Sequence, residues 1–323
     1  MKQGSILNTI HHRVKGKGRG LGIGYLAKVT TIKEQDLPEL PEVETMRRGI
    51  LGVVGGKITG VQRTTCKLKS INIRPRIDRF RRRAVGQHIT EVDRLGKRVV
   101  LRLSNDNSII FEPRMTGLVL VANPPNLEHL RLSLCLSGCH VKQLLYWDRR
   151  GLGSVKLLSP SELEDELGPN NLGPDALELS ADQLWQRLES SRRTIKTALL
   201  DQRAIAGIGN LYASEILHQA GIHPEVLCTR LKRDQWQRIH TAMNAILQAA
   251  IQYEGSTLSD GTYRNALNES GGYQNHHRVY DREGATCPTC HQSEVVRIVQ
   301  TQRSTFFCPT CQAKRPRASN KPR

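Results

Sequence analysis

Aromatic side chains are scarce in this chain: Phe, Trp and Tyr together make 4% of 323 residues, and the hydrophobic types together make 38%. That is lean but enough for packed cores, so wholesale disorder is excluded. No apolar run approaches the roughly 20 residues that a membrane-spanning helix needs. No signal-peptide pattern stands near the N-terminus. The membrane and secreted classes therefore fall away, and a cytoplasmic protein is expected. Negative charge is the larger deficit. Thirty Asp and Glu face 48 Lys and Arg, a formal net charge of +18. An excess of this size is out of place in an enzyme of small metabolites and points to a polyanion, most simply nucleic acid. Carboxylates are missing altogether from residues 1–33, which hold seven Lys/Arg, and from 314–323, which hold five. Both ends are expected to be solvated basic tails.

Of the eight cysteines, Cys66, Cys135, Cys139 and Cys228 are scattered and expected to be free thiols. Cys287, Cys290, Cys308 and Cys311 form C-x2-C, a 17-residue gap and a second C-x2-C. That spacing is a four-thiolate zinc pattern rather than a disulfide framework. Four protein ligands leave no open position for water, so one structural Zn2+ is expected, in a ribbon whose intervening residues suit a β-hairpin.

Along the chain, residues 1–37 lack apolar periodicity and are expected to be a disordered extension or a mis-assigned start. Residues 38–48 begin as a helix, with Pro41 in the first turn and Glu39 and Glu42 facing the positive end of its dipole. Short β-rich runs fill 51–160, two of them alternating strictly, which predicts half-buried antiparallel strands in a sandwich or barrel. Residues 168–174 read as a linker. Helices are expected over 181–189, 194–201, 210–220 and 233–253, with a mobile Gly/Ser/Asn-rich loop over 255–275.

Two segments could carry chemistry. In 194–215 a helix, the turn Gly207-Ile208-Gly209 and a second helix beginning at Asn210 offer either a phosphate-binding N-terminus or a plain helical hairpin. Pro38-Glu39 is ordinary inside a chain. At a true N-terminus, however, Pro38 would carry a secondary amine with a pKa of roughly 8. Such an amine can attack an electrophilic carbon and form an iminium, with Glu39 and Glu42 at hand for proton transfer.

Pro38-Glu39-Leu40-Pro41-Glu42-Val43-Glu44, the 194–215 segment, and Gln302-Arg303-Ser304-Thr305-Phe306 within the cysteine ribbon together resemble the bacterial formamidopyrimidine-DNA glycosylase family, over about 38–312. The resemblance implies an α+β, multidomain protein: a β-sandwich N-terminal domain (38–172), a helix–two-turn–helix DNA-binding domain (173–275), a C-terminal zinc ribbon (279–312) and a basic tail (313–323). It implies a monomer acting on double-stranded DNA, excising 8-oxoguanine and formamidopyrimidines and nicking the abasic site by β,δ-elimination. By the same resemblance Pro38 is the Schiff-base nucleophile and Glu39 its acid–base partner, supported by Glu42. Lys97 serves β-elimination and Arg303 δ-elimination. His129, Arg150, Arg192, Lys196 and Asn210 match DNA-contacting positions. Met115 and Arg150 match side chains that fill the gap left by the flipped nucleotide.

The sequence departs from the family at Leu152, where an aromatic wedge is usual, and at Glu112, where a carboxylate would repel a phosphate unless it pairs with Arg114. Two other readings follow from particular residues. An amide at Pro38 would leave a non-catalytic damaged-DNA binder, and an endonuclease VIII-like enzyme for oxidised pyrimidines is disfavoured by Leu40. The working chain is expected to begin at Pro38, with Leu37 standing where a non-standard start codon would be read. It would keep a formal charge of +13, because residues 1–37 carry seven Lys/Arg and two carboxylates.

Overall fold

The computed structural model describes residues 38–66, 69–258, 261 and 263–314. The expectations for 1–37, and for the basic tail beyond Lys314, lie outside the described residues.

Helix α1 (Leu40–Gly49) opens this part. Strands β1 (Lys57–Arg63) and β2 (Asn72–Arg74), helix α2 (Ile77–Ala84), and strands β3 (Ile89–Leu95), β4 (Arg98–Leu103), β5 (Ser108–Glu112), β6 (Gly117–Leu120), β7 (Leu130–Ser137), β8 (Gln143–Asp148) and β9 (Ser154–Leu158) follow, then helix α3 (Pro160–Leu167). The strands form two sheets, ordered β1-β7-β8-β6 and β2-β9-β5-β4-β3, antiparallel except for the β2–β9 pair. Side chains alternate across a strand. One set from each sheet, including Leu118, Leu134 and Tyr146 from the first and Val99, Leu101 and Phe111 from the second, meets in a single core. This is the expected sandwich.

The strands are less half-buried than their patterns predict. On the outer face of the second sheet Val100, Ile110 and Leu158 pack against Leu163 and Leu167 of α3. That helix buries the face that alternation alone would leave to solvent. On β7 the polar Arg131 is also buried, its Nε donating to the Asp148 carbonyl.

Four helices follow: α4 (Ala181–Leu188), α5 (Ile195–Leu199), α6 (Asn210–Ala220) and α7 (Arg233–Gln252). Along α7, Trp236, Ile239, Met243, Ile246, Leu247 and Ala250 recur at three- and four-residue steps, and this stripe is its buried face. The last strands among the described residues, β10 (Val296–Gln300) and β11 (Arg303–Phe307), pair as a hairpin. Val295 and Phe306 of this ribbon belong to the same core as α4–α7. Among the described residues the apolar interior therefore has two main parts, one centred on the sandwich and one shared by α4–α7 and the ribbon.

Helix α1 lies at the seam. Its first residue, Leu40, packs into the helical core, while Val43 and Met46, one turn on, pack into the sandwich. The segment 255–275, expected as a mobile loop, is packed over its described residues. Tyr263 and Ala266 enter the sandwich core, and the Ala266 carbonyl accepts a hydrogen bond from the Val121 N–H. Isolated apolar residues in a polar run hid this from composition.

Candidate active site

The residues at the start of α1 are held against the turn that begins α6. The Leu40 N–H donates to the Gly207 carbonyl at 3.0 Å. The turn itself is fixed from within by Gln202, which accepts from the Gly207 N–H and donates to the Ile208 carbonyl. Gly207 has φ +108°, and a Cβ there would lie 2.5 Å from Leu40 Cδ1. At Gly209 the limit is space: a Cβ would lie 2.2 Å from the Glu39 carboxyl carbon. Both glycines permit the close approach that places Glu39 at the helix N-terminus.

Glu39 is 2% exposed. Its carboxylate accepts backbone N–H groups from Gly209 (2.6 Å), Leu211 (2.9 Å) and Tyr212 (3.4 Å). Helix N-termini leave these donors unsatisfied and carry partial positive charge, so an acidic group there is held on two counts. Glu42 reaches back to the Glu39 N–H at 3.0 Å, and it also accepts from the Tyr212 hydroxyl (2.5 Å) and the Ser256 N–H (2.8 Å). Burial pushes the Glu39 carboxyl up to about 7, against the lowering field of Lys97 and its backbone donors. Burial likewise raises Glu42, partly offset by Tyr212 and Ser256. A carboxyl poised near neutrality can accept and return a proton at cellular pH.

Pro38 is buried beside Glu39. Lys97, half-buried, occupies the turn between β3 and β4. Arg94 at the end of β3 secures that turn: it pairs with Glu44 of α1 (3.1 Å) and with Asp175 (2.5 Å) and donates to the Gly96 carbonyl. Three arginines, Arg47, Arg48 and Arg94, outweigh burial at Glu44 and hold its carboxyl down to about 2. Neither this clamp nor Tyr212 was singled out in the sequence, because their partners are far apart in the chain.

A second cluster collects Met115, His129, Arg150 and Leu152. Asp148, fully buried, organises it: one carboxylate oxygen accepts from the Thr116 hydroxyl (2.5 Å) and the Arg150 N–H (3.2 Å), the other from the Gly153 N–H (2.8 Å). The Asp148 N–H donates to the His129 carbonyl. The side chain of Arg150 is exposed, and Met115 and Leu152 are half-buried. The His129 ring packs edge-on against Trp147, and its Nδ1 is buried without a partner. Glu112 does pair with Arg114, at 3.3 Å, and with Arg98, at 3.1 Å. These cations outweigh burial and hold its carboxyl below the usual range, so its charge is already matched within the protein.

The third group is Arg192, Lys196, Asn210 and Arg303. Arg192 is exposed ahead of α5, and Asn210 opens α6 with its Oδ1 buried and unpartnered. Lys196, expected at the DNA surface, is instead 1% exposed. Its Nζ donates to the Ser304 carbonyl (3.0 Å) and to Thr305 Oγ1 (2.7 Å), the two residues after Arg303. The ammonium therefore ties α5 to the strand that carries Arg303, an arrangement that needs the tertiary structure to be seen. Arg303 itself is half-buried and follows a two-residue turn, Thr301 (φ 46°) and Gln302 (φ 65°). Both turn residues are in the left-handed region that hairpins of this length require, without the usual Asn-Gly.

The Sγ atoms of Cys287, Cys290, Cys308 and Cys311 all lie within 4.8 Å of one another, with Cys287–Cys311 at 3.8 Å and Cys290–Cys308 at 3.6 Å. Ligands about 2.3 Å from a tetrahedral ion stand about 3.8 Å apart. The quartet can therefore hold a metal ion.

Among the described residues no helix is long and apolar enough to cross a membrane. Residues 37–155 match the formamidopyrimidine-DNA glycosylase N-terminal domain, and residues 167–262 match the formamidopyrimidine-DNA glycosylase H2TH domain. The formamidopyrimidine-DNA glycosylase of Chloroflexus aurantiacus is 38% identical over 277 residues, covering 85% of this chain and 98% of that relative. That of Bacillus subtilis is 35% identical, covering 86% and 100%. Among solved structures, the MutM (Fpg) protein of Thermus thermophilus superimposes with a TM-score of 0.74 at 34% identity, over 86% of this chain and all of that one. The Lactococcus lactis Fpg in complex with DNA containing an abasic site gives 0.74 at 29% identity, over 85% and 100%. The α+β fold, the buried carboxylate at the helix N-terminus and a similarity covering 85–86% of the chain agree: the chain belongs to the formamidopyrimidine-DNA glycosylase family.

Proposed function

We propose that this protein is a base-excision repair enzyme that removes oxidised purines, 8-oxoguanine and formamidopyrimidines, from duplex DNA and then cleaves the strand at the abasic site. The observation that carries the proposal is Glu39: a buried carboxyl pinned by three backbone donors, poised near pH 7, and adjacent in sequence to Pro38. The lone pair of the Pro38 amine attacks C1′ of the damaged nucleotide. The glycosidic C–N bond breaks, and its electron pair leaves with the base, which takes up a proton. Glu39 accepts the proton released by the attacking amine and returns it to O4′ as the C1′–O4′ bond breaks and the C1′–nitrogen iminium forms. Loss of a C2′ proton then expels the 3′ phosphate (β-elimination), and a second elimination expels the 5′ phosphate. Lys97 serves the first elimination and Arg303 the second.

Around this chemistry, Met115, Arg150 and Leu152 fill the space of the extruded nucleotide, with Leu152 giving less stacking than an aromatic side chain. His129, Arg150, Arg192 and Asn210 bind the DNA backbone, while Lys196 acts from inside by holding the strand of Arg303. Cys287, Cys290, Cys308 and Cys311 hold one zinc ion, which orders the ribbon. Glu42 fixes the backbone of Glu39. The relatives share the lesion chemistry in their names, and the structural neighbours include complexes with Fapy-dG and abasic-site DNA. These similarities favour a glycosylase over a non-catalytic binder.

The chemistry needs a chain that begins at Pro38, where the nitrogen is an amine rather than an amide; the family match starting at residue 37 supports that start. Borohydride added to a mixture with an 8-oxoguanine duplex should trap a covalent adduct of the chain beginning at Pro38, and none of the 323-residue chain. Intact mass of the native protein should give the shorter chain. Absence of both excision and adduct with the shorter chain overturns the proposal. A duplex carrying an oxidised pyrimidine, cleaved more slowly, separates it from the endonuclease VIII-like reading.

A further inference from the structure

Helix α6 places a histidine against one of the ribbon cysteines, outside the C-x2-C pattern. His218, in the last turn of α6, is 3% exposed, and its Nε2 lies 3.5 Å from Cys287 Sγ. Its other ring nitrogen, Nδ1, is buried and has no hydrogen-bond partner. The tautomer follows from these surroundings. An imidazole carries a proton on one nitrogen when neutral, and only Nε2 has an acceptor beside it. A proton on Nδ1 would leave a buried N–H unsatisfied and turn a bare Nε2 lone pair toward a sulfur.

His218 is not a fifth member of the quartet. The four Sγ atoms all fall within 4.8 Å of one another, and no His218 nitrogen joins that group. The sulfur it faces is one that water cannot serve: Cys287 and Cys308 are fully buried, whereas Cys290 and Cys311 are half-buried. Four thiolates around a divalent cation carry a net formal charge of −2, so buried sulfurs need donors from the protein. Cys308 receives the Cys311 N–H at 3.4 Å, and Cys287 receives the Thr289 N–H at 3.5 Å. Both come from within the knuckles. The contact from His218 is different, because it comes from a helix that precedes the ribbon by about 70 residues.

We infer that His218 is a positioning residue of the zinc site, its Nε2–H donating to the Cys287 thiolate and thereby fastening the metal centre to the C-terminal end of α6. The inference rests on the reading of the quartet as a zinc site. It gives one helix contacts at both ends, with Glu39 held at its first turn and the metal site at its last. Groups that orient or hydrogen-bond metal ligands typically change metal affinity 10–100-fold when removed.

The test uses the whole chain loaded with Zn(II) or Co(II), with two variants. His218→Phe keeps an aromatic ring and removes the donor, and His218→Gln restores an N–H donor. An N–H donor stabilises sulfur lone pairs, so in the Co(II) protein the sulfur-to-metal charge-transfer band should move to lower energy in His218→Phe and return toward the wild-type position in His218→Gln. Transfer of Zn(II) to a chromogenic chelator should be about tenfold or more faster in His218→Phe. The ligand-field bands should keep their tetrahedral intensity in both variants, showing that the site itself survives. Unchanged band energy and unchanged transfer rate in His218→Phe overturn the inference while leaving the zinc reading intact. A wild-type Co(II) spectrum of three sulfurs and one nitrogen also overturns it, by making His218 a ligand. Failure of the wild-type chain to bind either metal at one ion per chain overturns the zinc reading beneath it.

Discussion

At the residue scale, the behaviour of Glu39 follows from two opposed effects. Three backbone donors and Lys97 favour its ionised form, burial disfavours it, and burial wins by enough to bring the group to about 7. In the proposed reaction the ionised carboxylate takes the Pro38 proton. Single-turnover excision should therefore level off only above the pKa of the Pro38 amine, roughly 8, and below about 7 Glu39 should add a further limb of about tenfold per pH unit. Glu39→Gln should lose about 100- to 10,000-fold in this step and flatten that limb. Gly209→Ala is the sharper probe. Its Cβ would sit 2.2 Å from the Glu39 carboxyl carbon, so the carboxylate must leave its cradle. A displacement of about 1 Å can cost about 100-fold. A carboxylate released toward water also regains an ordinary pKa, so the limb should move toward 4.5 as the rate falls. A rate and pH profile like the wild type's would show that the cradle is irrelevant to the step.

At the scale of elements, α6 joins parts that the sequence separates. Midway along it Glu215, fully buried, accepts the backbone N–H groups of Arg278, Val279 and Tyr280 at 2.8–3.0 Å, fixing the approach to the ribbon. Burial pushes its carboxyl up to about 7, against the lowering effect of these donors. A raised carboxyl binds its proton more tightly in the folded protein than in the unfolded chain. Its stabilising contribution is therefore full below about 4.5 and declines as pH rises toward 7, by about 3 kcal/mol in all. His277, pushed down to about 4 by burial, changes stability in the opposite direction over much of that range. Only the difference between variants isolates Glu215. Thermal unfolding of Glu215→Gln should be weaker than wild type at pH 5, where the amide NH2 opposes one of the three backbone donors. The deficit should shrink steadily by pH 7.5. A difference in Tm independent of pH would mean that Glu215 does not titrate in this window.

At the scale of the whole molecule, the sequence disclosed what is written in local pattern. The first turn of α1, helices α6 and α7, the alternating β7 and the cysteine spacing were all legible, because each depends on neighbours within a few residues. Short α2 was not: its sequence, Ile77 to Ala84, is half arginine and buries only Phe80 and Ala84. Helix α3 carried a readable start in Ser159-Pro160-Ser161-Glu162, a capping box with proline at the first position, yet nothing local said that it would cover a sheet. The contacts that build the site lay furthest out of reach, because Glu39 meets donors about 170 residues away and Lys196 meets a strand more than 100 residues on.

Charge is the property that composition shows best, and it leads to a separation of roles among the residues proposed to bind DNA. Each phosphate neutralised releases counterions and adds about 0.9 to the slope of log affinity against log salt. Arg192 is exposed, and no contact of its own fixes a lesion, so Arg192→Ala should lower that slope by about one and weaken damaged and undamaged duplexes alike. Met115 is uncharged and half-buried beside the loop organised by Asp148. Met115→Ala should leave the slope unchanged and reduce affinity only for duplexes whose damaged nucleotide is extruded, since a wedge acts only when there is a gap to fill. Fluorescence anisotropy titrations of the two variants on abasic-site and intact duplexes, across a range of salt, measure both quantities. Equal slopes for all three proteins would place Arg192 off the DNA path. Equal loss by Met115→Ala on both duplexes would make that side chain a general contact rather than a wedge.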